Sequence, residues 1–286
     1  MNRWITGARP RTLPAAVVPV AVGAAAAVGE PGDLVAWRVA AALVVSLALQ
    51  VGVNYANDYS DGVRGTDDVR VGPTRLVASG LASPTSVKRA AVLAFGVAAV
   101  AGLAIALATS LWLLVVGAAA IAAGWFYTGG PRPYGYLGLG EVFVFVFFGL
   151  VATAGTTFAA IEAVTALSLV MGSAVGSLAC ALLVINNLRD IPTDRDVGKR
   201  TLAVRLGDGR TRWFYTVLVG AAFVLTVVAA GWRPTVLLGL AAVPLAVAPL
   251  RSVLGGAGGP ALIPVLGATG RLQLIWGVLV TVGLSI

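Results

Sequence analysis

Apolar runs, each close to the length that crosses a bilayer, alternate along the chain with short polar segments that carry almost all of its charge. A helix rises about 1.5 Å per residue, so roughly 20 apolar residues cover a hydrocarbon core about 30 Å thick. Nine stretches fit that description: 13–29, 35–56, 89–108, 111–128, 139–160, 164–187, 213–231, 234–250 and 270–286. The region 252–269, SVLGGAGGPALIPVLGAT, is also apolar but rich in Gly and Pro. It reads as a loop with a short interfacial or re-entrant piece. The pattern predicts an all-α, polytopic transmembrane helical bundle of about nine helices, forming a single domain over 1–286.

Composition agrees with this reading. Of the 286 residues, 58% are hydrophobic and only 11% are charged, whereas a soluble domain carries about a quarter charged residues. Membrane lipids are therefore the expected surroundings of much of the surface. No short apolar segment with a small-residue cleavage site opens the sequence, so no removable signal peptide is expected. The net charge of +8 does not point to nucleic acid, because the cations lie between apolar runs rather than in one basic domain.

The distribution of those cations sets an orientation. With the N-terminus in the cytoplasm and the spans alternating, only Arg38 and Arg233 fall outside, so eighteen of the twenty Lys and Arg lie inside. That bias fits the positive-inside rule for a multi-pass protein of the cell membrane.

Two inside loops, 57–88 and 188–212, hold most of the acidic residues. They follow the second and sixth spans, and each opens with an Asn-x-x-x-Asp pair, Asn54/Asp58 and Asn186/Asp190. The repetition hints at a duplicated four-helix unit.

In the first loop, NYANDYSDGVRGTDD, the residues Asn54, Asp58 and Asp61 have i, i+4, i+7 spacing and share one face if the helix continues. Asp67 and Asp68 follow Gly62 and Gly65, where the chain can turn. In the second, INNLRDIPTDRDVGKRTLAVRLG, Asp190, Asp194 and Asp196 are followed at once by Lys199, Arg200 and Arg205. Pro192 interrupts ideal helical spacing there. Carboxylates gathered at one spot repel each other unless a cation sits among them. The chain has no His and a single Cys, Cys180, inside an apolar run. A hard, oxygen-liking ion, Mg²⁺, is then the expected metal. Carboxylates beside cations suit a diphosphate held partly through Mg²⁺ and partly by charge-assisted hydrogen bonds, for which Arg75 and Lys199 are candidates. Two such clusters at one end of an apolar bundle point to a prenyl diphosphate. Its tail would lie among the helices and its head between the clusters. A secondary transporter would instead carry its charges near the midplane.

The chain resembles the UbiA superfamily of intramembrane prenyltransferases, whose signatures are two Asp-rich motifs after the second and sixth helices. The resemblance rests on ARPRTLPAAVVPVAVG from Ala8, on NYANDYSDGVRGTDD with VGPTRLVASG, on YTGGPRPYGYLGLGE from Tyr127 and on NNLRDIPTDRDVGKRTLAVRLG. Within the superfamily these stretches are most similar to the branch that prenylates 1,4-dihydroxy-2-naphthoate in menaquinone biosynthesis. The resemblance implies that Asn54, Asp58, Asp61, Asp190 and Asp194, with Asp67, position Mg²⁺ on polyprenyl diphosphate. It further implies attack of the prenyl cation on the ring carbon bearing the carboxylate, with loss of CO₂. The alternative is a UbiA-type transferase with another acceptor, 4-hydroxybenzoate or homogentisate. Candidate acceptor contacts are Tyr127, Tyr134, Tyr136 and Glu141 around a Gly/Pro-rich inside loop, and Arg11, with Arg9, near the start. Interfacial tyrosines and arginines also serve as anchors. Glu141 stands out because it opens an otherwise apolar span. Cys180 reads as packing.

Overall fold

The structure is a computed structural model and describes residues 2–65 and 75–286. Helices α1 (Arg3–Ala8) and α2 (Pro14–Ala27) are joined by a 3₁₀ turn, Pro10–Thr12, and the broken pair bends by 50°. Two prolines, each lacking an N–H, and Arg9 at a left-handed φ of 52° make that break. Then follow α3 (Ala36–Arg64), α4 (Pro84–Ala108) and α5 (Trp112–Phe126). Next come α6 (Gly140–Ile161), α7 (Ala166–Arg189), the short α8 (Ile191–Asp196) and α9 (Leu202–Leu206). The chain ends with α10 (Asp208–Ala229), α11 (Pro234–Leu254) and α12 (Leu262–Ser285).

Seven of these helices are long and apolar enough to cross a membrane, and the bent α1–α2 pair makes an eighth. Helix α5, with 15 residues, is the short ninth element of the expected series. One sequence expectation fails. Only 255–261 separates α11 from α12, so most of 252–269 is helix and the last span begins at Leu262 rather than at 270. Pro264 lies in the first turn of α12, where its missing N–H has no intrahelical acceptor to lose.

Helix α7 is the hub. The share of its apolar window buried inside the bundle is 72%, against 28–39% for the other long spans. Small residues allow this. Gly172 and Gly176 of α7 face Gly149 of α6 so closely that a Cβ on Gly149 would lie 2.6 Å from the Cα of Gly176. At that crossing α6 widens into a π-helical stretch, Phe145–Val151. Backbone-to-backbone approach of this kind drives helix association where lipid removes the hydrophobic incentive. Some polar groups inside the bundle pair across helices. Tyr215 bonds Thr269 at 2.8 Å, and the Trp276 indole N–H donates to Thr226 at 3.1 Å.

Both cations expected outside lie at one end of the bundle. Arg38 pairs with Glu162 at 2.7 Å and donates to the carbonyl of Ala108. Arg233 donates to the carbonyls of Val28 and Leu284. These contacts gather the starts of α3 and α11 with the ends of α2, α4, α6 and α12. The Asp-bearing ends of α3 and α7 lie at the opposite end.

Candidate active site

Helix α3 continues without a break to Arg64, so Asn54, Asp58 and Asp61 do share a buried face. Gln50, one turn earlier, extends the polar column. The upper part of the column docks the bent N-terminal pair. Both Gln50 and Asn54 donate to the Thr12 hydroxyl at 3.0 Å, and Asn54 also donates to the carbonyl of Ala8 at 2.9 Å. Tyr55 donates to the carbonyl of Trp4 at 2.7 Å. The Asn54 amide nitrogen is thus engaged, while its carbonyl oxygen makes no bond among the described residues.

Asp58 is fully buried. Its two oxygens accept the backbone N–H groups of Leu76 and Val77 at 2.8 and 3.0 Å. This clamp fixes the chain immediately after Arg75.

Asp61 is where the two motifs meet. It accepts the Tyr136 hydroxyl at 2.8 Å, and it faces Arg75 and Lys199, each at 3.7 Å. Lys199 lies 4.6 Å from the centre of the Tyr136 ring, and the Arg64 guanidinium lies 5.5 Å from it. Arg64 also donates to the carbonyls of Thr128 and Gly130, fastening the Tyr127–Leu139 region to the end of α3. The backbone N–H of Arg200 donates to the Tyr136 carbonyl at 3.0 Å. Burial acts to lower the pKa of Lys199, but the charges of Asp61 and Asp194 and the nearby Tyr136 outweigh it, and the ammonium is held above the ordinary lysine value.

In the second motif α7 ends at Arg189. Asp190 caps it, and α8 begins with Pro192 in its first turn. Asp190 binds Arg189 through both oxygens, at 2.6 and 2.7 Å. Asp194, half-buried, acts on Lys199 through its charge. Asp67 and Asp68 lie outside the described residues. Among the described residues no three Asp, Glu or Cys side chains converge tightly enough to hold a metal by themselves.

The other candidates are dispersed. Tyr134 donates to the carbonyl of Ala123 at 2.8 Å and stacks on Phe143, and burial pushes its phenol above the ordinary tyrosine range. Tyr127 packs edge-on against Tyr134. Arg11 is exposed on the 3₁₀ turn. Glu141 is buried at the start of α6, and Asn187 of α7 donates to its Oε1 at 2.8 Å. Cys180 is buried and its thiol donates to the Glu141 carbonyl at 3.1 Å. The sequence singled out neither Gln50 nor the central place of Tyr136.

Comparison with known proteins bears on this arrangement. The UbiA prenyltransferase family matches residues 16–255. A protein of Mycobacterium tuberculosis named 1,4-dihydroxy-2-naphthoate octaprenyltransferase is 52% identical, over 99% of this chain and 97% of its own. One of the same name from Escherichia coli is 38% identical, over 77% of this chain and 74% of its own. Among solved structures, the apo structure of a UbiA homolog from Aeropyrum pernix K1 superposes with a TM-score of 0.75 at 15% identity, over 96% of this chain and 97% of that one. A UbiA homolog from Archaeoglobus fulgidus bound to GPP and Mg²⁺ gives 0.67 at 14% identity, over the full length of both. At such identities the structural likeness concerns the fold. The family match over most of the chain and the 52% identity over nearly all of it establish that this chain belongs to the UbiA prenyltransferase family.

Proposed function

We propose that this protein transfers a polyprenyl group from polyprenyl diphosphate to 1,4-dihydroxy-2-naphthoate, releasing diphosphate and CO₂ and making demethylmenaquinone. The observation that carries the reading is the 52% identity, over 99% of the chain, to a relative named for that acceptor. The site supports it independently. Asp61 on α3 and Lys199 after α8 come within 3.7 Å of each other, so the two motifs form one charged centre at the end of an apolar bundle.

The chemistry follows from that placement. Lys199 and Arg75 supply the direct positive charge for the diphosphate. Tyr136 holds Asp61 in position between them. Asp58 acts on Arg75 through the backbone it clamps. The donors fit Mg²⁺, since they are oxygen atoms with no imidazole near them. The Asn54 carbonyl oxygen, Asp61, Asp190 and Asp194 are the groups that would hold it. When bound, the ion supplies the charge that neutralises the leaving diphosphate. The apolar helices around the prenyl chain keep water from the allylic cation. The charged centre faces the cytoplasm, a reading supported by the eighteen cations on that side.

A product assay tests this. Purified protein is given Mg²⁺, a polyprenyl diphosphate and equal amounts of 1,4-dihydroxy-2-naphthoate, 4-hydroxybenzoate and homogentisate, and products are weighed by mass spectrometry. The expected product is decarboxylated prenyl naphthoquinol alone, and none after exhaustive EDTA treatment. A prenylated benzoate as main product overturns the acceptor, and full turnover in EDTA overturns the metal.

A further inference from the structure

Glu141 is a buried carboxylate at the start of an apolar span, and no ion pair to it occurs among the described residues. It opens α6, is 4% exposed, and uses only Oε1, which accepts from Asn187. Its Oε2 is buried and has no hydrogen-bond partner among the described residues. A buried acceptor left open is destabilising, the more so when it is charged. A bare intramembrane carboxylate that persists at that cost points to a missing donor.

The position says where that donor comes from. Asn187 lies one turn before Asp190 on α7, so Glu141 sits just deeper in the bundle than the second motif. Five residues back, Tyr136 touches Asp61. Packing beside it is close, since a Cβ on Gly140 would lie 3.2 Å from the Tyr127 ring and 3.3 Å from Leu183. The ligand must donate a proton and must not place an anion against Glu141. The hydroxyl of an aromatic acceptor satisfies both conditions, and a diphosphate or a carboxylate satisfies neither.

We propose that Glu141, oriented by Asn187, is the catalytic base that binds the ring hydroxyl ortho to the carbon that is prenylated. The proposal rests on the acceptor chemistry of the preceding section. As the C–C bond forms at the carbon bearing the carboxylate, the hydroxyl proton passes to Glu141 and the C–O becomes a ketone. The ring is now a β-keto carboxylate. The C–CO₂ bond breaks, its electron pair restores the aromatic ring, and the resulting phenolate takes the proton back from Glu141. No proton is gained or lost over the cycle, and no oxidant is needed. Asn187, which touches Glu141 rather than substrate, is a positioning residue.

The test compares Glu141→Gln and Asn187→Leu with the unaltered protein. General-base groups are worth about 10²–10⁴ in rate. Glu141→Gln is expected to lower kcat by that factor. The Kd and KM for polyprenyl diphosphate should stay within about twofold, with unchanged thermal unfolding. Glu141→Asp should recover part of the rate. Asn187→Leu should lower kcat less, again without changing diphosphate binding. It also serves as the second variant should Glu141→Gln fold poorly. Wild-type turnover in Glu141→Gln overturns the assignment, and so does an equal loss of polyprenyl diphosphate binding. If the unaltered protein itself ignored 1,4-dihydroxy-2-naphthoate, the acceptor assignment would be the part that fails. The same variants would then be measured with whichever hydroxylated acid is prenylated.

Discussion

Replacing Asp58 separates an architectural from a ligand role within the first motif. At a solvated loop, Asp58→Asn would shift stability by no more than about 0.5 kcal/mol. The structure predicts much more. Both carboxylate oxygens accept buried backbone N–H groups, from Leu76 and Val77 at 2.8 and 3.0 Å, and the side chain has no exposure. A hydrogen bond to a charged acceptor contributes about 1.5–3 kcal/mol. Asparagine keeps one acceptor oxygen and turns an NH₂ toward the other N–H, so one bond is lost and one donor is stranded. The expected cost is about 3 kcal/mol. Asp58→Ala loses both bonds and should cost about 4–6 kcal/mol, in the range that marks a breached buried network. Thermal and denaturant unfolding in detergent, with the exposed Asp33→Asn as control, measure this. Activity should fall in parallel, because Arg75 directly precedes the two clamped residues. If Asp58→Asn unfolded like the control yet turned over about a hundredfold more slowly, the clamp reading would be refuted. Asp58 would then act on the metal or the diphosphate directly.

Two further outcomes follow from packing and charge. Gly149→Ala should destabilise by about 1–3 kcal/mol, because its Cβ would meet backbone atoms of Gly176 and Gly172 at 2.6 and 2.7 Å. Gly155→Ala in the same helix has nothing within 4 Å and should be neutral or stabilising in the same unfolding assay. Lys199 has its pKa raised on folding, so its stabilising charge is complete below the ordinary lysine value and is lost only as pH rises through the raised one. Lys199→Met should therefore lower kcat/KM at every pH up to about 10 without altering the shape of the profile. An alkaline limb below pH ~10 that vanished in the variant would contradict this.

The series of spans was legible because most of them are long apolar runs. The i, i+4, i+7 spacing of Asn54, Asp58 and Asp61 places them on one face on condition that the helix runs past the apolar stretch, and α3 does so. The start of α12 was hidden by GGAGGPALIP, whose Gly and Pro suggest a loop although a first-turn proline is compatible with a helix. Spacing also could not reveal that Asp58 faces the backbone of Leu76 and Val77, since that contact depends on the fold of the following loop. Tyr136 looked like one of several interfacial tyrosines. Only the packing of its loop beneath Lys199 and Arg64 separates it from Tyr134, which is tied to Ala123 and Phe143. Glu141 had a sequence signal in its isolation within an apolar span, but its pairing with Asn187 needed the α6–α7 contact.

The central claim is that the two acidic motifs build one diphosphate site, and a double-mutant cycle on Asp61 and Lys199 tests it most directly. The two residues are 138 positions apart in sequence and 3.7 Å apart in the structure. The cycle compares kcat/KM for polyprenyl diphosphate in Asp61→Asn, in Lys199→Met and in the double variant, with folding checked by unfolding temperature. Contacting residues in one charged network couple by about 0.5–3 kcal/mol, whereas separated sites add to within about 0.5 kcal/mol. A double variant clearly less impaired than the product of the two single losses is the predicted result. Strict additivity would mean that the two motifs act on substrate separately, and would contradict the shared site.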